Sequence, residues 1–76
     1  MRWPRPVDPF LPQLHGYEVA RIPGFRANKT YRCPGCGAEI PTGVGHVVAW
    51  PEELVDDRRH WHDHCWRIAC RRGRVD

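Results

Sequence analysis

The chain has 76 residues, with 12 Lys or Arg, nine Asp or Glu, and a formal net charge of +3. This length holds one domain at most, and a chain this short buries only about 60% of the surface that it exposes when unfolded. No stretch is apolar enough for a transmembrane helix, and residues 1–12 lack the apolar core of a secretory signal. We therefore expect a small cytoplasmic protein without membrane contact, stabilised by more than its hydrophobic core.

Charge is arranged in blocks along the chain. Residues 17–32 carry three arginines, one lysine and one glutamate. Residues 33–57 carry five acidic side chains and no Lys or Arg, whereas residues 58–76 carry six arginines and two aspartates. This pattern predicts a bipolar protein with an acidic middle between two basic regions, not a uniformly cationic one.

The N-terminal residues 1–16 are predicted to form an extended or disordered arm. Proline removes an amide donor and favours extended backbone in the residue before it. Four prolines lie here: Pro4, Pro6, Pro9 and Pro12. We expect the folded domain to span residues 17–73, with residues 74–76 as a tail. The apolar side chains of the arm could dock on the domain.

Three segments of the domain are predicted to be strands. They are YEVARI at 17–22, NKTYRC at 28–33 and HVVAW at 46–50, which alternate or are rich in β-branched and aromatic residues. PGF at 23–25 and AEIPTG at 38–43 are predicted turns, and PEELVDDRR at 51–59 a polar connection.

A single helix is predicted at the C-terminal end of the domain. WHDHCWRIACRRG, residues 61–73, has the composition of a helix, and Gly73 is a plausible stop signal. The predicted class is therefore small α+β.

Two short motifs carry metal-binding chemistry. A CxxC pair lies in the turn-forming segment CPGCG, and an HxxC pair lies where the helix is predicted to begin. Residues three apart on a helical turn are neighbours, so each pair can chelate one ion. Thiolate and imidazole ligands suit zinc rather than magnesium or calcium, and a closed Cys3His set is typical of structural zinc. We predict a Zn²⁺ site formed by Cys33, Cys36, His62 and Cys65.

Other interpretations of these residues stay open. His60 or His64 could replace His62, although neither has its spacing to Cys65, and His46 is a further backup. We expect His46 to lie at the surface or beside the ligands, and Cys70 to pack against the core. A redox pair would need a βαβ context, and a disulfide would need an oxidising compartment.

The segments CPGCGAEIPTGVGHVVAW and RRHWHDHCW resemble the zinc finger of poly(ADP-ribose) polymerases. The shared features are the ligand spacing, the Ile40-Pro41 turn, and Trp61 and Trp66. The resemblance covers about residues 31–68 and implies a treble-clef-like fold, with a zinc knuckle, a β-hairpin and a C-terminal helix. Those fingers bind DNA breaks. His46 departs from that family's pattern, because it stands about where an arginine is expected.

Two further resemblances concern smaller segments and the whole chain. WHxxCW is similar to the first zinc half of LIM domains, which bind proteins. The whole chain resembles small uncharacterised bacterial proteins that often carry an automatic ATP/GTP-binding label, for which GFRANKT at 24–30 is the plausible origin. A P-loop needs GxxxxGK[ST] between a strand and a helix, and this segment lacks the second glycine. We therefore do not expect nucleotide hydrolysis.

The function predicted from these features is nucleic-acid binding by a structural-zinc module. Phosphate binding needs a basic face, and the metal would bring the two basic regions together. The predicted DNA- or RNA-binding residues are Arg26, Lys29, Arg32, Arg58, Arg59, Arg67, Arg71 and Arg72. The three tryptophans Trp50, Trp61 and Trp66 are expected in the core. The alternative is a protein-interaction module that uses the N-terminal arm, and no enzymatic activity is expected.

Overall fold

A computed structural model describes residues 11–73 of the protein. Five strands and one helix follow in chain order, with two short 3₁₀ turns at Gly24–Arg26 and Val55–Asp57. The strands are β1 (Tyr17–Ile22), β2 (Tyr31–Arg32), β3 (Glu39–Ile40), β4 (His46–Pro51) and β5 (Arg59–Trp61), and the helix is α1 (Asp63–Arg72). The described residues confirm the small α+β class.

The five strands form two antiparallel sheets. The larger has the order β1-β4-β5, so the central β4 pairs with both neighbours. Ala20 lies opposite Val48 on one side of β4, and His60 lies opposite Val48 on the other. The smaller sheet is the pair β2 and β3, in which Tyr31 lies opposite Ile40. The CPGC turn is the connection between these two short strands.

Strand β4 is buried on both faces because each face has its own core. Successive side chains of a strand point to opposite faces. Val47 and Ala49 belong to a cluster with Cys33, Ile40, Trp61 and Trp66, here called the main core. Val48 and Trp50 pack with Ala20 on the other face. Trp50, Trp61 and Trp66 are all buried, which confirms their predicted place in the core.

Helix α1 begins after His62, which is its N-cap, and ends at Gly73. Gly73 has a φ of 73°, a left-handed conformation that glycine adopts without steric cost, and its amide bonds to the Ala69 and Cys70 carbonyls. The predicted stop is thus confirmed. The predicted start was too early, because Trp61 belongs to β5 and pairs with Val47.

Packing on the core begins before residue 17. Leu11 is buried in the cluster that contains Trp66, and Leu14 packs against it. The indole Nε1 of Trp66 donates a 2.9 Å hydrogen bond to the Pro12 carbonyl. The last residues of the predicted arm therefore contact the domain. Residues 1–10 and the predicted tail 74–76 lie outside the described residues.

Three of the local predictions differ from the structure. The second strand is limited to Tyr31–Arg32, and Glu39–Ile40 forms a strand where a turn was predicted. Arg59–Trp61 is a strand instead of part of a connection and a helix. These strands have two or three residues, too few for alternation to be visible in the sequence, and they form because neighbouring strands supply partners.

Within residues 11–73, no helix is long and apolar enough to cross a membrane. The cytoplasmic location stays a prediction.

Candidate metal centre

The CPGC turn is held by backbone hydrogen bonds around Cys33. Its amide donates to the Ala38 carbonyl at 2.9 Å, and its carbonyl accepts from the Gly37 amide at 2.8 Å. Gly37 has a φ of 76°, a left-handed value that residues other than glycine rarely adopt. The turn therefore presents Cys33 and Cys36 toward one point, with Cys33 fully buried and Cys36 exposed.

The start of α1 supplies the other two side chains. His62 is the N-cap and Cys65 lies in the first turn, where the Trp66 amide donates to the His62 carbonyl at 2.9 Å. This placement confirms the predicted juxtaposition of the HxxC residues on the first turn of the helix.

The four side chains form one cluster with the dimensions of a tetrahedral metal site. Their ligand atoms all lie within 4.8 Å of one another. The Nδ1 atom of His62 is 3.4 Å from the Cys36 Sγ and 3.9 Å from the Cys65 Sγ. A tetrahedral ion with Zn–S of about 2.3 Å and Zn–N of about 2.0–2.1 Å requires a nitrogen-to-sulfur separation of about 3.6 Å. The donor set and its spacing therefore fit such an ion. The cluster comprises Cys33, Cys36, His62 and Cys65.

Cys33 lies in surroundings that favour its thiolate. Burial raises its pKa, but hydrogen bonds from backbone amides, including that of His62 at 3.4 Å, outweigh burial and lower the pKa to about 7. For Cys65, burial and the neighbouring thiols Cys33 and Cys36 raise the pKa to about 12. Three sulfurs at this distance cannot all be ionised without a positive charge between them. Ionisation of all three thiols therefore requires a cation bound among them.

The orientation of the His62 ring is fixed by a strand of the smaller sheet. Its Nε2 lies 3.2 Å from the Glu39 carbonyl, which can only accept a hydrogen bond. The Nε2 atom therefore carries the proton, and Nδ1 keeps its lone pair toward the sulfurs. A metal-binding histidine needs this tautomer.

Gly35 allows the turn to pack directly on the helix. A β-carbon at this position would lie 2.9 Å from the Cys65 Cβ and 3.2 Å from the Trp61 ring. Any other residue would separate the two pairs of ligands. From the sequence, Gly35 is expected only to form part of the CPGCG turn, and this packing role was not predicted.

The other histidines and Cys70 lie outside the cluster. His64 is exposed on the helix, and Cys70 is half-buried against the main core, as predicted. His46 was predicted at the surface or beside the ligands, but it is fully buried at the start of β4, and the surface interpretation was wrong. All four cysteines are free thiols in the structure.

A second group of rings lies beside the metal centre and was not predicted. His46 Nε2 and His60 Nδ1 are 2.7 Å apart, and the Tyr31 ring stacks on His60 with centroids 3.5 Å apart. Burial, His46 and the charge of Arg58 lower the pKa of His60 to about 4, so its ring is neutral at physiological pH. This group could be predicted from the sequence only if the register between β4 and β5 were known.

An open groove of about 450 Å³ lies between these rings and the CPGC turn. It brings together three of the eight predicted basic residues, Arg32 from β2 with Arg58 and Arg59 at β5. The other five do not line it. Arg67 pairs with Asp63 at 3.1 Å, and Arg26 lies over the exposed Phe25 ring. Arg71 and Arg72 occupy the last turn of α1, and Lys29 is exposed in the loop before β2.

Together these features define a small α+β protein with a Cys3His cluster that can hold a metal ion. The chain belongs to the Rv1322 family, whose family profile matches residues 12–67. This range contains all four residues of the cluster.

Among its relatives are the uncharacterized proteins Rv1322 of Mycobacterium tuberculosis (strain ATCC 25618 / H37Rv) and Mb1356 of Mycobacterium bovis. Each is 54% identical over 66 residues, which cover 82% of this chain and 67% of the relative. No solved structure is a significant match. The resemblance to small bacterial proteins is thus confirmed, whereas those to poly(ADP-ribose) polymerase fingers and LIM domains stay predictions.

Proposed function

We propose that the cluster binds Zn²⁺ and that the metal stabilises a treble-clef-like module. The support is the donor set, three sulfurs and one imidazole nitrogen that all lie within 4.8 Å of one another. The CPGC turn corresponds to the knuckle, β4 and β5 to the hairpin, and α1 to the helix that supplies the last two ligands.

The proposed zinc has a structural role, and the protein is not an enzyme. A catalytic zinc keeps one position for water or substrate, with three protein ligands. Here four protein side chains converge, so the ion would be fully ligated by the protein.

We further propose that the module binds nucleic acid through the groove beside the CPGC turn, here called the arginine groove. The observation that carries the proposal is the convergence of Arg32, Arg58 and Arg59 on one concave surface. Guanidinium groups bind phosphate oxygens through two parallel hydrogen bonds. Aromatic rings stack on the accessible bases of single strands. Tyr31 and His60 line the same groove as a stacked pair.

Salt dependence tests this proposal. Fluorescence anisotropy of a labelled single strand is measured over a range of salt concentrations, with wild type, Arg59→Ala and the matched control Arg71→Ala at the end of α1. Each phosphate contact contributes about −0.7 to the slope of log K against log salt for a single strand. We expect Arg59→Ala to flatten the slope by about that amount and Arg71→Ala to leave it almost unchanged. Absence of binding at low salt would contradict the proposal.

A protein partner is the second candidate, and one observation favours it. Phe25 is 83% exposed at a surface turn, next to Arg26. Exposed aromatic and arginine side chains are frequent anchors of protein interfaces. In a nuclease-treated pull-down with purified protein as bait, a partner that is lost on Phe25→Ala but retained by Leu54→Ala would support it. Loss with both variants, or with neither, would argue against it.

A further inference from the structure

The large apolar side chains that residues 11–73 leave exposed lie in two places. Phe25 and Val44 belong to the loops after β1 and before β4, whereas Leu54 and Val55 follow the end of β4. Burial of apolar surface drives association between proteins, so exposed apolar residues in one place can form an interaction site. The charges around each pair indicate what it could bind.

The first place is a basic surface made by two loops in direct contact. The Gly43 amide donates a 2.9 Å hydrogen bond to the Ala27 carbonyl, and a β-carbon at Gly24 would lie 2.6 Å from the Gly43 carbonyl oxygen. Residues 23–30 and 41–45 contain no acidic side chain. The exposed side chains of this surface, here called the basic patch, are Phe25, Arg26, Lys29 and Val44.

The second place is an acidic surface after β4. Two backbone hydrogen bonds hold it, from the Leu54 amide to the Pro51 carbonyl and from the Asp57 amide to the Leu54 carbonyl, each at 2.9 Å. None of its four acidic side chains is in an ion pair with another described residue. The next two residues are arginines of the arginine groove. The exposed side chains of this surface, here called the acidic patch, are Glu52, Glu53, Leu54, Val55, Asp56 and Asp57.

The two patches lie at opposite ends of the β1–β4 pair. Ile22 lies opposite His46, so the loops of the basic patch meet where β1 ends and β4 begins. The acidic patch begins after Pro51, the last residue of β4. Six antiparallel residues with a rise of about 3.4 Å each separate the patches by about 17 Å. The patches are therefore too far apart to bind each other within one chain.

We propose that the protein associates with itself head to tail, the basic patch of one copy binding the acidic patch of the next. The apolar side chains are then buried at the centre of the interface, and opposite charges face each other at its rim. Contact between two identical patches would bring like charges together, which opposes a symmetric dimer through either patch. Each copy keeps one unused patch, so copies add in a row or close into a ring. This inference does not depend on the proposed nucleic-acid function.

The interface is small, so the association is expected to be weak and reversible. Stable interfaces bury about 20–30 residues on each side, far more than either patch offers. Sedimentation of the wild-type, metal-loaded protein without nucleic acid measures the mean mass over a range of protein and salt concentrations. We expect the mass to rise with protein concentration and to fall as salt screens the opposite charges. A monomer mass at every protein concentration in low salt would overturn the inference and leave the proposed nucleic-acid function standing.

Two variants and their mixture test the head-to-tail arrangement. Phe25→Ala removes the aromatic side chain of the basic patch, and Leu54→Ala removes an apolar side chain of the acidic patch. Loss of an anchor side chain weakens an interface by about tenfold or more. We expect each variant alone to associate that much more weakly than wild type. In an equimolar mixture, the intact acidic patch of Phe25→Ala meets the intact basic patch of Leu54→Ala, so dimers should form with the wild-type affinity.

Both variants change exposed side chains, so they should fold and retain metal like the wild type, and exposed Arg71→Ala is the matched control. Weakening by only one of the two variants would indicate a symmetric contact through one patch and would overturn the inference. Association that neither variant weakens, or a mixture that associates no better than its components, would overturn it as well.

Discussion

The Cys3His cluster is held in pairs, Cys33 and Cys36 by the CPGC turn and His62 and Cys65 by the start of α1. Backbone amides surround the buried Cys33, and the Glu39 carbonyl orients His62. Cys65 lies on the first helical turn, close to the other two sulfurs. The folded chain therefore holds the four ligand atoms within 4.8 Å of one another.

Metal uptake is expected to release protons and to strengthen as pH rises. Only the thiolate binds metal. In the folded chain burial and the neighbouring thiols raise the pKa of Cys65 to about 12, and in an unfolded chain a cysteine has a pKa of about 8.5, so without metal this thiol is protonated at neutral pH in both states. The metal must displace this proton, so lowering the pH favours release of the metal. Calorimetric titration in buffers with different ionisation enthalpies counts the protons. An affinity that is constant from about pH 6 to pH 8 would contradict this linkage.

Gly35→Ala is expected to weaken metal binding. The added methyl would lie 2.9 Å from the Cys65 Cβ, and both atoms are fixed to backbone, so the two ligand pairs must move apart. Gly37→Ala is the control. Its β-carbon meets no atom within 4 Å, and only its left-handed backbone adds strain, about 1–2 kcal/mol. Competition with a chromophoric chelator measures both affinities. We expect a clear loss for Gly35→Ala, and an affinity equal to wild type would be evidence against this packing.

At the scale of elements, β4 joins the two cores of the domain. Val47 and Ala49 pack on the face that contacts α1 and the CPGC turn, whereas Val48 and Trp50 pack with Ala20 of β1 on the opposite face. β5 follows the same alternation. Trp61 enters the main core, and His60 faces the other side beside His46. One strand register therefore sets both the metal centre and the arginine groove.

The segment before β1 covers the indole of Trp66, and Leu11→Ala tests its contribution. Leu11 is 3% exposed in the main core, so its truncation leaves a cavity and should lower the free energy of unfolding by about 2–4 kcal/mol. Leu54, which is 55% exposed, is the matched control, and Leu54→Ala should change the stability by no more than about 0.5 kcal/mol. Urea denaturation of the metal-loaded protein measures both. An equally small change in the free energy of unfolding for both variants would mean that residues 11–14 contribute little to stability.

At the scale of the whole molecule, the proposed zinc links the CPGC turn to the start of α1, two segments that are distant in the sequence. The β2–β3 pair has only two residue pairs in its register, and it supplies the CPGC turn. Ligation of structural zinc in finger peptides contributes roughly 10–16 kcal/mol, which equals or exceeds the net stability of a typical domain. Metal binding and folding are therefore expected to be one process.

Removal of the metal should unfold the protein. A strong chelator or Cys36→Ser is expected to abolish the near-UV circular dichroism of the buried tryptophans, since Trp61 and Trp66 pack beside the ligands. Cys70→Ser, outside the cluster, should retain both metal and signal. Metal content is measured on the same samples. Tryptophan signals that persist after complete metal removal would contradict the coupling.

Local patterns in the sequence were sufficient for several elements and for the cluster. Alternation in YEVARI predicted β1, the β-branched and aromatic composition of HVVAW predicted β4, and Gly73 marks the end of α1. The spacings CxxC and HxxC predicted which four side chains converge, because chelating pairs are defined by short-range geometry. The structure brings the same four together.

Features that depend on contacts between distant segments were decided by the tertiary structure alone. β3 and β5 are too short to be visible as patterns, and they exist because β2 and β4 pair with them. Eight basic residues were predicted to share one face. In the structure, only Arg32, Arg58 and Arg59 of these eight line the groove. Ligand spacing is a property of a few neighbouring residues, whereas a groove requires long-range packing of β-strands that no local pattern encodes.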